Sequence, residues 1–353
     1  MNYFVIGYYA LLIGASCLAA NYNKREIFLL LFSLTLASFI MGIVGGESAL
    51  WTVTIIAGII ALSAGTAYAF REFLVIISPR EVAKAMRKAP LTASFGLFVI
   101  MTYAIAGFFA PIIAPFGEAE VITQAFAPAD EHMLLGADQL GRDMFSRLVF
   151  GARNTVGLAL VATFAAFLMG ALAGLFAATK GGWFDQFMGR FADVIMSIPS
   201  LIFALLMLSI FGTNLTVLVI IVAIIYSPRV FRLTRAVAGN IVVMDYVEAA
   251  RLRGEGTWYL IRKEILPNST APLVAEFGLE FCFVFLLVAG LSFLGLGIQP
   301  PTADWGSMVR ENATLISFGE ITPLIPASAI ALLTVSVNFV VDWMLFQSSG
   351  LKE

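Results

Sequence analysis

Apolar positions in this chain fall in long unbroken runs, and polar positions gather in short stretches between them. A hydrocarbon layer of about 30 Å takes roughly 20 helical residues to cross, and lipid accepts only backbones that satisfy their own hydrogen bonds. The runs predict nine membrane-spanning helices: Tyr3 to Ala20, Ile27 to Val44, Trp51 to Phe70, Leu91 to Ala114, Val156 to Thr179, Val194 to Gly212, Leu215 to Tyr226 with an extension to Phe231, Leu273 to Gly295, and Leu324 to Phe346. A transmembrane barrel is excluded, because its strands alternate apolar and polar residues and these runs do not.

Between the spans, two loops are long enough to carry structure. In the first, Pro115 to Asn154, the stretch DQLGRDMFSRLVFGAR puts Leu140, Met144, Phe145, Leu148 and Val149 on one helical face. This predicts an amphipathic helix at the membrane interface, with Asp138–Arg142 and Asp143–Arg147 as i,i+4 pairs on its polar side. The second, GLGIQPPTADWGSMVRENATLISFGE, carries Pro300 and Pro301 as helix breakers and Trp305 as a headgroup-depth anchor.

Composition agrees with a bilayer as solvent: 60% of the residues are hydrophobic, 12% are charged, and mean hydropathy is +0.93. A net charge of −2 and scattered basic residues exclude a nucleic-acid partner. Basic loops stay cytoplasmic. With the 244–268 loop placed inside, 17 Lys and Arg fall on the cytoplasmic side and four on the other, Arg142, Arg147, Arg153 and Arg310. The expected N-terminus is then outside and the C-terminus inside. The opening MNYFVIGYY has no positive region or cleavage site and reads as a retained helix.

Candidate chemistry is sparse. The single histidine, His132, cannot supply a zinc helix or a catalytic triad, and no lysine follows a glycine as a phosphate-binding loop requires. The chain is therefore expected not to be an enzyme, to hold no metal or cofactor, and to leave any ATP hydrolysis to a partner. Cys17 and Cys282 lie in apolar runs and read as free thiols. Glu276, Glu280, Arg190, Asp193 and Asp342 are ionisable groups near span ends; they either snorkel to the surface or, for Glu276 and Glu280, line a cavity.

The stretch DYVEAARLRGEGTWYLIRKEILPN, Asp245 to Asn268, breaks the apolar pattern. Asp245 reads as the N-cap of a helix bearing Val247, Glu248, Ala249, Ala250 and Leu252, and Gly254 and Gly256 permit a reversal. A second helix follows, with Trp258, Ile261 and Ile265 on one face and Pro267 ending it. Two readings stand on physics alone: a docking element for a cytoplasmic partner, or a loop helix resting on the inner leaflet.

Glu248-Ala249-Ala250, Gly254, Ile261 and Leu266-Pro267 are spaced as in the EAA loop of ATP-binding-cassette importer permeases, and the chain resembles that family. LGADQLGRDMFSRLVFGARNTVGL, GGWFDQFMGRFADVIMSIPSLIFAL and LSFLGLGIQPPTADWGSM resemble its dipeptide, oligopeptide and nickel "C" branch, over roughly Ser78 to Asn338. The resemblance implies an all-α permease of the bacterial inner membrane, with a six-helix type I core in residues 78–353 and a coupling loop at about 244–268. Residues 1–77 then add three helices, either a peripheral brace or a means of recruiting a partner. Implied partners are a homologous second permease, two ATPase subunits carrying ATP and Mg, an extracytoplasmic solute-binding protein and membrane lipid. Glu248, Ala249, Ala250, Gly254, Ile261, Leu266 and Pro267 would couple to the ATPase. Glu276, Glu280, Ser292 and Phe293 are candidates for the substrate pathway, and Arg142, Asp143, Arg147 and Trp305 for binding-protein docking. The implied mechanism is ATP-driven alternating access for a peptide or similar solute; the alternative is a secondary carrier or channel-like protein working without an ATPase. The chain departs from the family at Glu264, where a His is common, and at Val288, where a Glu is common.

Overall fold

The computed structural model of this protein describes residues 14–16, 19, 28–29, 31–33, 64–77, 80–130, 133–318, 320 and 322–348. Among them every regular element is helical. Most of the first three expected spans, together with Cys17, His132 and Lys352, lie outside the described residues. The chain divides into two compact units, Met1–Ile100 and Met101–Glu353.

Within the first unit, residues 64–77 are helical and run past the expected end at Phe70. A short helix follows, α1 (Arg80–Lys88), with Met86 buried and Lys84, Arg87 and Lys88 exposed. Helix α2 (Leu91–Phe108) is apolar on all sides, as a lipid-embedded helix is. The end of α2, from Met101, and the turn that follows it, Ala110–Ile113, belong to the second unit.

The second unit holds α3 (Met144–Gly151), α4 (Gly157–Lys180), α5 (Gly182–Met196), α6 (Ser200–Phe211), α7 (Leu215–Val242), α8 (Asp245–Leu252), α9 (Leu266–Phe293), α10 (Trp305–Asn312) and α11 (Leu324–Ser348). Five described helices are long and apolar enough to cross a membrane, and the bent pair α5–α6 makes a sixth if counted as one span.

Several boundaries differ from those the apolar runs predict. The span expected from Val156 begins at Met144, because a π turn at Ala152–Val156 joins α3 to α4 without a break. The span expected as Val194 to Gly212 is broken by 87°. Pro199 disfavours helical backbone at Ile198, so α5 stops and α6 restarts at a new angle. The span expected to end near Tyr226 or Phe231 continues to Val242, straight through Pro228. Proline cannot donate to the carbonyl four residues back, that of Ile224. Ser227 Oγ donates to that same carbonyl at 3.3 Å, which replaces the missing bond.

The second unit centres on the crossing of α4 and α7. In lipid, helices associate through close backbone approach rather than through the hydrophobic effect, so small residues mark the seam. On α4 that seam is Ala159, Ala162, Ala166, Gly170, Gly174 and Ala177, all buried. A Cβ on Gly174 would lie 2.8 Å from the Phe231 carbonyl oxygen and 2.8 Å from Thr234 Cβ. Helix α9 packs similarly on α11, where Gly278 abuts Val341 and Cys282 Sγ lies 3.8 Å from the Thr334 carbonyl oxygen.

Candidate functional site

The loop between α7 and α9 is folded tightly on its own chain. Met244, in extended backbone, caps α8, so Asp245 is the first helical residue rather than the cap. Asp245 and Glu248 both lie in the first turn, where carboxylates meet the positive end of the helix dipole. Val247 and Ala250, three residues apart, are fully buried with Leu175 of α4, Ala238 and Ile241 of α7, and Leu260, Ile261 and Ile265.

A glycine-dependent reversal ends α8. Gly254 has φ +83°, its N–H donates to Arg251 O at 2.9 Å, and the Glu255 N–H donates to Ala250 O at 3.2 Å. This pair of bonds around a left-handed residue is the Schellman arrangement. Gly256 needs no such freedom, since its φ is −78°.

Two further contacts fix the loop to α4. Arg251 Nη2 donates to the Thr179 carbonyl at 3.1 Å, near the C-terminal end of α4, and Trp258 stacks on Phe176 with ring centroids 6.0 Å apart. Trp258 thus stays exposed, off the buried face of Ile261 and Ile265. Pro267 does not end the second helix: residues Thr257–Phe293 form one continuous helix. A π turn at Leu260–Ile265 widens the backbone just before the proline, with Leu266 N–H donating to Ile261 O, five residues back.

What the loop leaves outward is Glu248, Ala249, Gly254, Leu266 and Pro267, while Ala250 and Ile261 face inward. Around the outward set stand Val243 at 76% exposure and Leu252 at 84%, with Met244 and Tyr246 nearby. An exposed knob of mixed apolar and charged side chains is the kind of surface that a partner protein or the membrane covers.

The remaining candidates are distributed as follows. Glu276 is half-buried and Glu280 buried, its Oε2 without a hydrogen-bond partner. Ser292 is buried and its Oγ accepts from Ile298 N at 3.3 Å, so it shapes the turn after α9; Phe293 is exposed. Arg142, Asp143, Arg147 and Trp305 are between 0 and 2% exposed. In place of an amphipathic interface helix with paired charges on its wet side, the structure has a buried ionic cluster. Arg142 Nε lies 2.7 Å from Asp138 Oδ2, Arg142 Nη2 is 2.9 Å from Glu311 Oε2, and Arg147 Nη2 is 3.1 Å from the same oxygen.

Asp143 does not pair with Arg147; it caps α3 by accepting from Ser146 N at 2.8 Å and Ser146 Oγ at 2.6 Å. Trp305 is no headgroup anchor either. Its Nε1 donates to Leu148 O at 2.9 Å, and its ring meets Tyr103 and Phe285 edge-on. Its backbone N–H donates to Thr155 Oγ1, which donates to Asp304 Oδ1 at 2.8 Å. Burial raises the Asp304 carboxyl above the usual range, and hydrogen bonds from Ser307 N, Thr155 and others partly offset this.

Comparison with known proteins bears on these features. The family described as binding-protein-dependent transport system inner membrane component matches residues 170–347, which include the whole α7–α9 loop. The chain belongs to this family. The permease is 32% identical over 269 residues to the dipeptide transport system permease protein DppC of Alkalihalophilus pseudofirmus, covering 75% of this chain and 88% of the relative. It is 34% identical over 254 residues to the di/tripeptide transport system permease protein DppC of Pseudomonas aeruginosa, covering 70% and 84%. It is 31% identical over 269 residues to the glutathione transport system permease protein GsiD of Pectobacterium atrosepticum, covering 74% and 88%. Arg229, which falls in the expected extension to Phe231, stands inside α7, and the helix runs on to Val242. The hydroxyl of Ser227, one residue ahead of Pro228, was the available signal.

Proposed function

We propose that the α7–α9 loop is the lever by which this permease subunit of an ATP-binding-cassette importer is driven. Glu248, Ala249, Ala250, Gly254, Ile261, Leu266 and Pro267 serve it in two ways. Ala250 and Ile261 weld the loop to α4 and α7, and the outward residues seat in a groove of a cytoplasmic ATPase, which supplies the ATP and Mg. The observation that carries this reading is a loop stiff on one side and uncovered, with large apolar side chains, on the other.

The chain is then one half of the translocation pathway, paired with a homologous permease. A type I core of six helices occupies residues 78–353, preceded by a three-helix extension at 1–77. It sits in the bacterial inner membrane with its N-terminus outside and C-terminus inside. Closure of the ATPase dimer tilts α7 and α9 through the loop and switches a central cavity between inward and outward facing. Glu276 and Phe293 border that cavity, with Glu280 and Ser292 behind them. The rim built by Arg142, Asp143, Arg147 and Trp305 supports the surface on which a solute-binding protein docks. A short peptide is the proposed solute, supported by the dipeptide, di/tripeptide and glutathione systems of the relatives.

The test is a photo-crosslinking residue at Ala249 in the complete assembly in its native membrane. Crosslinking to the ATPase subunit is expected, and crosslinking to lipid alone would sink the proposal.

A further inference from the structure

Arg229 stands at the midpoint of α7, about 21 Å along the helix from Leu215. It is exposed on the surface of this chain. A hydrocarbon layer of about 30 Å that starts at Leu215 still encloses this position, which the count of basic residues placed on the cytoplasmic side, and a charge facing lipid there is costly. The other arginines of the same stretch have partners: Arg232 lies 3.8 Å from Asp193 and Arg235 pairs with Asp185. Among the described residues Arg229 has no such ion pair. Glu276 and Glu280 of α9 feel the charge of Arg229, but neither comes within ion-pair distance of it, and Glu280 Oε2 has no hydrogen-bond partner.

What Arg229 has instead is an aromatic shelf. Its guanidinium carbon lies 5.4 Å from the centroid of the Tyr226 ring and 4.9 Å from that of Phe283. The shelf is itself fixed, because Tyr226 Oη donates to the Phe283 carbonyl at 3.1 Å and so clasps α7 to α9. A guanidinium held against ring faces keeps N–H groups free at its edge, the geometry that takes a carboxylate with two parallel bonds.

We propose that Arg229, on the Tyr226–Phe283 shelf, is a binding site in the translocation pathway for the carboxylate of the passing solute. The inference rests on the permease reading and adds a specificity to it: the pathway itself, and not only the binding protein, favours solutes with a free carboxylate.

Two arms test it in the complete importer reconstituted in liposomes. In a background with Cys17→Ser and Cys282→Ser, Arg229→Cys is treated with 2-sulfonatoethyl methanethiosulfonate, with and without ATP. Labelling in at least one state is expected; none in either state means that lipid or the partner permease covers the position, and overturns the proposal. In the second arm, tri-alanine and its C-terminal amide are compared in wild type, Arg229→Gln and Arg229→Lys. The ratio of kcat/KM for acid over amide is expected to fall about tenfold or more in Arg229→Gln and to recover in part in Arg229→Lys. An unchanged ratio overturns the site even if both rates drop, since that pattern belongs to a structural arginine or a partner's carboxylate. If wild type carries neither peptide while the binding protein still stimulates ATP hydrolysis, the peptide reading fails separately, and the labelling arm decides the site.

Discussion

Gly254 and Asp304 illustrate how differently single residues can be read. Gly254 answers a local demand: at φ +83° a side chain with a Cβ is strained, although nothing within 4 Å would touch it. Gly254→Val is therefore expected to cost about 1 to 2 kcal/mol locally, leaving the protein inserted. ATP hydrolysis should persist while solute uptake in vesicles falls. Glu248→Lys is expected to behave alike, since it reverses an exposed charge at a helix N-terminus. Local demands of this kind are legible in sequence. Asp304 is not, because its partner Thr155 lies 149 residues away. Thr155→Val breaks the link from Trp305 N–H to the carboxylate and is expected to destabilise by about 1 to 3 kcal/mol, measured as a drop in thermal unfolding temperature in detergent. The sign of the pH effect follows from burial. Burial makes the ionised form of Asp304 costlier in the folded state, so its contribution is most favourable below the unfolded carboxylate's pKa of about 3.9 and is lost as pH rises through the raised folded value. The stability of wild type relative to Asp304→Asn should accordingly shrink as pH rises above about 4.

Helices follow the same division. Among the described residues, existence and apolar character were legible from run length, and α11 lies within two residues of its expected bounds, Leu324–Ser348 against Leu324 to Phe346. Ends and breaks were not. The charges on α7 from Arg232 onward look like a loop until α4 supplies Gly170 and Gly174 for it to pack against. Pro228 looks like a stop until Ser227 donates to the stranded carbonyl. Gly174→Leu should drive α4 and α7 apart and cost at least about 1 to 3 kcal/mol. Gly239→Leu, where a Cβ meets nothing within 4 Å, is the tolerated control. Thermal aggregation of the two variants in one detergent separates the cases.

At the scale of the molecule, one ionic cluster ties distant parts of the chain together. Arg142 and Arg147 reach Glu311 from 169 and 164 residues away. Sequence spacing suggested only the i,i+4 partners, of which Asp138–Arg142 forms and Asp143–Arg147 does not. Removing one member strands the others in a buried setting, so Glu311→Gln is expected to cost about 3 to 5 kcal/mol. Limited proteolysis within residues 115–143 would report it as faster cleavage. Because the cluster is enclosed, half-molar salt should slow or speed that cleavage little in wild type.

Helix α6 has a consequence for the membrane around it. Its 12 residues rise about 18 Å, against a hydrocarbon thickness of about 30 Å, and the 87° elbow turns α5 away from the same axis. The column of oil above or below such a stub is left without a protein wall. Either the leaflet dimples to meet it, so that the bilayer is thinnest beside α6, or another protein surface closes the breach.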